Sequence, residues 1–483
     1  MKKNCQELID KYFMKQGIWW LLGISLLVRL LFAFRWHEIW WDSGVYLGMG
    51  KWLWSLGSAG LWEDIRPVLW PVVLGFFWKL SISPVLAARA IMLVLSIGCM
   101  WLVFKICKKI SDERTALLAT GLFGFSQIFF FLGFHEYTEI PSLFFVLLSV
   151  LLFLNESLFW AGLSLGLATL TRFPSGIFGI ALLCMLCWQN SWKHIWQQCC
   201  KLGAGFGVVV APFLVWSTWM YSNPLHSFIE GQRVIGKVLG CTVLHARPWY
   251  AYFQLLWFEH WVYAFAVIGF TLFLVKPSRT RMVVVLCTLF PLAYYSLLPC
   301  RDYRYLLSFL PFVTLLACEG VQWFFNKSWC CKKAWLWHVV CFVLLGVAVF
   351  HAITFYQGEY VAKDDISEAY LQFFANVDAS GEVWIANPVM AVYSDLLLHK
   401  VYYPVYDGTI AKSFHEYLVQ HTNNIEYVAL DNCGGGIICA DADMHCAQEL
   451  NDTRAFLSEH FVPVLNASRR RCWHLIFRNN AYQ

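Results

Sequence analysis

Residues 40–70 carry the side chains best suited to chemistry in this chain. They read Trp40-Trp41-Asp42-Ser43-Gly44-Val45-Tyr46 and then Glu63-Asp64-Ile65-Arg66-Pro67-Val68-Leu69-Trp70-Pro71. An apolar helix at 17–34 precedes this stretch and a long series of apolar helices follows it. An acidic, tryptophan-rich loop at the mouth of a membrane bundle is expensive to keep dry, and such carboxylates usually mark a working site. Asp42 at the start of a helix has two readings, a catalytic acid or a helix N-cap. If 42–54 is helical, Tyr46 lies one turn on and on the same face. Glu63 and Asp64 read either as solvated loop charges or as ligands of a divalent metal or of an acceptor amine or hydroxyl.

Further groups of both signs gather on the same side. The short segments His135-Glu136-Tyr137-Thr138-Glu139 and Arg301-Asp302-Tyr303-Arg304-Tyr305 both lie between apolar runs. Arg172 interrupts another run, where a lone cation is costly. Arginines bind phosphate in a bidentate manner, aromatic faces suit sugar rings or the lipid interface, and a carboxylate can take a proton from a hydroxyl. Together these side chains suit a lipid-phosphate ligand joined to a polyol. His135 and Glu139 are four apart, a spacing that permits a metal pair on a helix or a solvated loop end.

The elements that must position these groups are membrane helices. Hydrophobic residues make up 59% of the chain and charged residues 14%, too apolar for an ordinary soluble protein. Eleven spans are expected, near 17–34, 84–104, 115–133, 138–154, 158–173, 174–188, 201–221, 255–275, 282–299, 303–320 and 335–356. The first is no signal peptide, since it has no small-residue cleavage site. Basic clusters fall between alternate spans, at Lys2, Lys3, Lys11 and Lys15, then Lys105 to Arg114, Lys193 and Lys201, Lys276 to Arg281, and Lys327 to Lys333. This puts the N-terminus in the cytoplasm and residues 357–483 outside. Residues 155–188 read as two short spans, divided by Arg172-Phe173-Pro174-Ser175-Gly176. The run 66–80 is expected as an interfacial or re-entrant helix.

Residues 1–356 thus form a membrane domain, and 357–483 change character. β-type runs at 382–386, 425–430 and 472–477 alternate with helix-like stretches at 364–377, 409–420 and 446–460. That pattern predicts a small α/β domain with a largely parallel sheet. Most of the eighteen cysteines fall in spans and act as small hydrophobes. Cys433, Cys439, Cys446 and Cys472 lie in the outer domain, where an oxidising compartment allows one or two disulfides. No nucleic-acid or nucleotide-binding motif is present, and Gly434-Gly435-Gly436 lacks the spacing of a phosphate loop.

The ordered motifs resemble a known family. They are Asp42-x-x-x-Tyr46, Arg66-Pro67-x-x-x-Pro71, Thr138-Glu139-x-Pro141, Leu170-Thr171-Arg172 and Tyr303-Arg304-Tyr305-Leu306-Leu307, followed by a small terminal domain. This order is similar to that of the GT-C glycosyltransferases, in the branch of protein O-mannosyltransferases and aminoarabinose transferases. The resemblance implies a GT-C-like bundle in the cell membrane and a polyprenyl- or dolichyl-phosphate sugar donor. The acceptor would be an extracytoplasmic lipid, glycan or protein, glycosylated with inversion. It makes Asp42 the catalytic acid, acting as base or orienting the nucleophile. It sets Arg304, Arg301, Arg66, Tyr303 and Tyr305 at the donor phosphate, leaving Tyr46, Glu63, Asp64, Glu136 and Glu139 for sugar or acceptor. No cofactor is implied with certainty, and a divalent metal stays open. Many relatives carry an Asp-Glu pair in the first loop, where this chain has Asp42-Ser43. Two other classes fit a polytopic chain, a flippase or transporter of lipid-linked sugars and a non-catalytic assembly subunit. Transporters show inverted repeats and charges at mid-membrane depth, and neither is evident here.

Overall fold

A computed structural model describes residues 2–33, 39–189, 192–237, 247–298, 301–327, 334–361, 366–401, 414–432, 444–469 and 472–482. Helices dominate up to residue 361. In chain order they are α1 (Lys2–Ala33), α2 (Trp41–Trp54), α3 (Leu69–Lys79), α4 (Pro84–Lys108), α5 (Glu113–Gly124), α6 (Gln127–Leu132), α7 (Glu139–Leu154) and α8 (Leu158–Thr171). Then come α9 (Ile177–Gln189), α10 (Trp192–Tyr221), α11 (His226–Lys237), α12 (Ala251–Glu259), α13 (Ala266–Val275), α14 (Arg279–Leu297), α15 (Leu310–Lys327) and α16 (Ala334–Val361). Among the described residues five of these, in α1, α4, α10, α14 and α16, are long and apolar enough to cross a membrane. Shorter apolar helices lie between them, at 69–79, 139–154, 158–171, 173–188, 261–275 and 310–325.

Two differences from the sequence reading concern helix breaks. The expected span 115–133 is two helices, α5 and α6, separated at Phe125 and Ser126. The break is held from both sides. Arg29 of α1 donates to the carbonyl of Gly124 at 3.0 Å, and the Glu259 carboxylate accepts from the backbone N–H groups of Gln127 and Ile128 at 2.8 and 2.9 Å. These are the groups a helix end leaves without an internal partner. The second concerns 66–80, where the helix begins at Leu69, so Arg66 and Pro67 lie in the turn before it. Between α8 and α9 the backbone opens at Arg172 (φ −154°, ψ 109°) into a short 3-10 turn, Phe173–Gly176. That opening frees the Arg172 side chain from the helix surface.

Residues beyond 361 form a five-stranded sheet with short helices. The strands are β1 (Glu382–Ile385), β2 (Leu398–Lys400), β3 (Ile425–Asp431), β4 (Phe461–Arg469) and β5 (Cys472–Asn479), in the order β2-β1-β3-β5-β4. The expectation of a largely parallel sheet holds for one half. β2, β1 and β3 pair in parallel, and β3–β5 and β5–β4 pair antiparallel. β4 and β5 follow each other so closely that no crossover fits between them, and adjacent strands then run antiparallel. β3 is buried along its whole length, and the apolar run Tyr427–Leu430 within it suits a strand covered on both faces.

The sheet is packed against the membrane helices. One hydrophobic core runs from Val45 and Met49 of α2 and the helices around them into Val383, Ile385 and Val389. The far face of the sheet has a smaller core of its own around Val428, Leu430 and Leu457. Small residues on α2 make the approach possible. A Cβ on Gly44 would lie 2.7 Å from backbone atoms of Val389, and one on Gly75 of α3 would lie 2.2 Å from the Gly50 carbonyl. α2 is therefore clamped between α3 and the segment 389–391. Lys51 locks the same seam. Its ammonium is buried, donates to the carbonyls of Val392 and Ser394 at 3.1 and 2.8 Å, and pairs with Asp395 at 2.8 Å.

Candidate functional site

The site forms where α2, the turn before α3, the start of α7, the α8–α9 opening and the 3-10 turn Tyr303–Ser308 meet. Asp42 sits in the first turn of α2, and the helix is capped by the backbone of Trp40 rather than by the Asp42 side chain. A carboxylate in a first helical turn gains from the helix dipole. Each oxygen of Asp42 meets one guanidinium. Oδ1 lies 3.0 Å from Nη2 of Arg66, and Oδ2 accepts from Nη1 of Arg304 at 2.6 Å. The Asp42 side chain keeps 17% exposure, so the site is open to a ligand. Burial by itself would raise the Asp42 pKa. The two arginines outweigh it and hold the carboxyl well below the usual carboxylate range.

Each arginine is held by a second acid. Arg66 Nε donates to Oε2 of fully buried Glu63 at 3.0 Å. Arg304 Nε and Nη2 each donate to Oδ2 of Asp302 at 2.8 Å. Asp302 also caps the 3-10 turn, accepting from the Arg304 backbone N–H at 2.9 Å. The side chains stack on aromatic faces, Arg66 over Tyr46 at 5.7 Å and Arg304 over Tyr137 at 5.1 Å. The Tyr46 hydroxyl reaches Thr138 Oγ1 at 3.5 Å. Glu139 extends the network, with Arg172 Nη1 at 2.5 Å and Arg304 Nη1 at 3.8 Å. Arg172 in turn lies over the Tyr305 ring at 5.1 Å.

Of the residues singled out from sequence, Asp42, Arg66, Arg304, Tyr46, Glu63, Glu139 and Tyr305 are brought together. Others sit apart or face another way. Arg301 donates through Nε to the Ser296 carbonyl at 2.9 Å and through Nη1 to the Arg247 carbonyl at 2.5 Å. The Tyr303 hydroxyl donates to Glu259 Oε1 at 2.5 Å. Asp64 bridges His226 of α11 at 2.7 Å and Lys400 of β2 at 3.9 Å. Glu136 is buried and pairs with Arg89 of α4 at 2.7 Å, while its Oε2 has no hydrogen-bond partner. His135 and Glu139 do not face one another as a metal pair. Nδ1 of His135 is 3.0 Å from the Phe131 carbonyl, and Glu139 turns to the arginines. Among the described residues no group of three or more His, Cys, Asp or Glu side chains is arranged to hold a metal ion.

Three contributors escaped the sequence reading: Asp302, Arg89 and Glu259. Asp302 carried a signal, since an Asp two residues before an Arg at a helix start is both cap and ion-pair partner. Arg89, a cation inside an apolar run, also asks for a nearby acid. Nothing local points to Glu259, whose partners are more than forty residues away. Cys433 and Cys439, and the side chain of Cys446, lie outside the described residues, and Cys472 is in a disulfide.

Residues 66–219 match the family model described as dolichyl-phosphate-mannose-protein mannosyltransferase. No curated protein sequence matches the chain. Among solved structures the chain is similar to ArnT from Cupriavidus metallidurans bound to undecaprenyl phosphate, with TM-score 0.66 and 10% identity over 95% of this chain and 98% of that one. It is also similar to the oligosaccharyltransferase AglB from Archaeoglobus fulgidus in complex with an inhibitory peptide and a dolichol-phosphate, with TM-score 0.61 and 11% identity over 87% and 70% of the two chains. A third likeness is to the arabinofuranosyltransferase AftD from Mycobacteria, with TM-score 0.55 and 12% identity over 96% of this chain and 41% of that one. All three are GT-C glycosyltransferases. The architecture, the family match over 66–219 and these likenesses agree, and the chain is a membrane protein with the GT-C glycosyltransferase fold.

Proposed function

We propose that this protein transfers a sugar from a polyprenyl-phosphate donor to an extracytoplasmic lipid, glycan or protein acceptor, with inversion at the anomeric carbon. The observation that carries the reading is Asp42 held between Arg66 and Arg304 in an open site. Those three residues supply an acid for the acceptor and two cations for a phosphate. The acceptor hydroxyl gives its proton to the Asp42 carboxylate as its oxygen bonds to the anomeric carbon. The bond from that carbon to the phosphate oxygen breaks, and its electron pair leaves with the lipid phosphate. Arg66 and Arg304 stabilise the charge that develops there, which is usually a large catalytic contribution. Undecaprenyl phosphate and dolichol-phosphate, bound in the ArnT and AglB structures, are the lipid-phosphate part of such a donor.

The orientation follows the same reading. α4 carries Arg89, paired with Glu136, near its start and ends in Lys105 and Lys108, and a basic helix end of this kind is expected toward the cytoplasm. The disulfide at Cys472 accords with an oxidising compartment around the sheet. The test is transfer of radiolabel from a panel of polyprenyl-phosphate sugars to a membrane extract by the purified full-length protein. Wild type moves label and Asp42→Asn does not. Equal rates in the two proteins would remove Asp42 from the chemistry. No transfer from any donor by wild type would remove the reading itself.

A further inference from the structure

The two arginines at Asp42 are held in the same way. Each offers one terminal nitrogen to Asp42 and keeps Nε on a second, more deeply buried acid, which for Arg304 also takes Nη2. For Arg66 that acid is Glu63, and for Arg304 it is Asp302. Glu63 is fully buried and Asp302 nearly so, with 10% of its side chain exposed. The more open face of each guanidinium is therefore the one turned to Asp42. Both anchors come from sequence neighbours of the arginines, three and two residues away, so each pair is fixed within its own turn. The pairs meet at Asp42, which belongs to another element.

From this we infer that Glu63 and Asp302 are positioning residues. They hold Arg66 and Arg304 from the Nε side so that the terminal nitrogen that meets Asp42, Nη2 of Arg66 and Nη1 of Arg304, turns to the donor phosphate when it binds. The inference rests on the glycosyltransferase reading above and deepens it. Phosphate and Asp42 compete for the same donors, and a guanidinium can tilt about an anchored Nε without leaving the site. When the phosphate takes the terminal nitrogens, the Asp42 oxygens are uncovered for the acceptor hydroxyl. Donor binding then comes before proton transfer, and an acceptor arriving alone finds the carboxylate covered.

The alternative is that all these acids act only through their charge. The two views differ in sign for the anchors. By charge alone, neutralising any of the acids draws an anionic lipid in more tightly. By anchoring, Asp42→Asn removes a competitor, whereas Glu63→Gln and Asp302→Asn loosen the cations that grip the phosphate. Asn still caps a helix start well, so Asp302→Asn keeps the turn and removes only the ionic hold.

The experiment measures farnesyl phosphate binding to the purified full-length protein in detergent, with thermal unfolding as the check on folding. Expected are affinity about tenfold tighter in Asp42→Asn and about tenfold weaker in Glu63→Gln and in Asp302→Asn. Donor turnover by the anchor variants should fall further than binding at saturating donor. Tighter or unchanged binding in both anchor variants overturns the inference while the glycosyltransferase reading stands on wild-type transfer. If Glu63→Gln does not fold, Asp302→Asn decides alone. Wild-type protein that binds no farnesyl phosphate overturns the inference, and wild-type protein that also transfers no sugar overturns the reading beneath it.

Discussion

Asp42 and Glu259 are two acids of the same bundle, and they are satisfied in opposite ways. Glu259 is 2% exposed and takes three neutral donors, the backbone N–H groups of Gln127 and Ile128 and the Tyr303 hydroxyl. Asp42 keeps 17% exposure and takes two cations that other acids also hold. Glu259 ties three elements together through neutral groups. Asp42 is joined to partners that a phosphate can take away. On the proposed function, full satisfaction by neutral donors belongs to a structural acid, and shared cations at a partly exposed carboxylate belong to a working one. The two are linked, since Tyr303 and Arg304 are adjacent in one turn, so the structural acid steadies the working one.

The contrast breaks most easily at Asp42. Asp42→Asn should lower transfer by about 10³-fold, within the range for losing a general base, while thermal unfolding shows the bundle still folded. A smaller effect is expected at the cations. Arg304→Lys keeps the charge and loses the fork that spans Asp42 and Asp302, so kcat should fall by about 10²-fold. Transfer assays on the two variants under one set of conditions check the order. A larger loss in the lysine variant would move the centre of the chemistry from Asp42 to Arg304.

Glu259 should behave in the reverse manner. Glu259→Ala strands two backbone N–H groups and a tyrosine hydroxyl, and each buried unsatisfied group costs about 1–3 kcal/mol. The expected outcome is a clearly lower unfolding temperature, with transfer at low temperature reduced far less than in Asp42→Asn. Loss of transfer without loss of stability would make Glu259 part of the working site. Gly44→Ala sharpens the same line between fold and chemistry. Its Cβ meets the Val389 backbone at 2.7 Å, so the sheet must shift from α2, at a cost of about 1–3 kcal/mol. Unfolding temperature reports the shift directly.

The sequence reading recovered the parts of this arrangement that follow from local cost. Charges in apolar surroundings are expensive, so Asp42, Arg66, Glu139, Arg172 and Arg304 stood out before any coordinates, and all five meet in one network. What local cost does not reveal is direction. Tyr303 and Tyr305 flank Arg304, yet one turns to Glu259 and the other stacks on Tyr295 at 4.8 Å beneath Arg172. Arg301 and Arg304 look alike in sequence, but a 3-10 turn three residues per repeat long and the Asp302 cap send only Arg304 toward Asp42. The break between α5 and α6 was equally hidden, because its cause lies on α1 and α12.

The smallest expected effect concerns acid. The arginines hold the Asp42 carboxyl below the ordinary range against the opposing influence of burial. A group with a depressed folded-state pKa stabilises the fold above its unfolded-state value, and the benefit fades as pH falls through the folded one. The unfolded-state value for Asp is about 3.9. Between neutrality and about pH 5 the difference in unfolding temperature between wild type and Asp42→Asn should therefore stay constant. Below about pH 4 it should shrink, because wild type then takes up a proton on unfolding that the Asn variant cannot. Farnesyl phosphate should change this pattern. With the terminal nitrogens drawn to the phosphate, Asp42 loses the interactions that depress it, its folded-state pKa rises toward the unfolded value, and the shrinkage below about pH 4 should be smaller than without the lipid. Scanning both proteins with and without the lipid from pH 7 downward, in steps of about half a unit across the carboxylate range, tests whether the arginines leave Asp42. Shrinkage of the same size with and without the lipid would mean that phosphate and Asp42 hold the arginines together, and that an acid accepting the acceptor's proton does so while still paired.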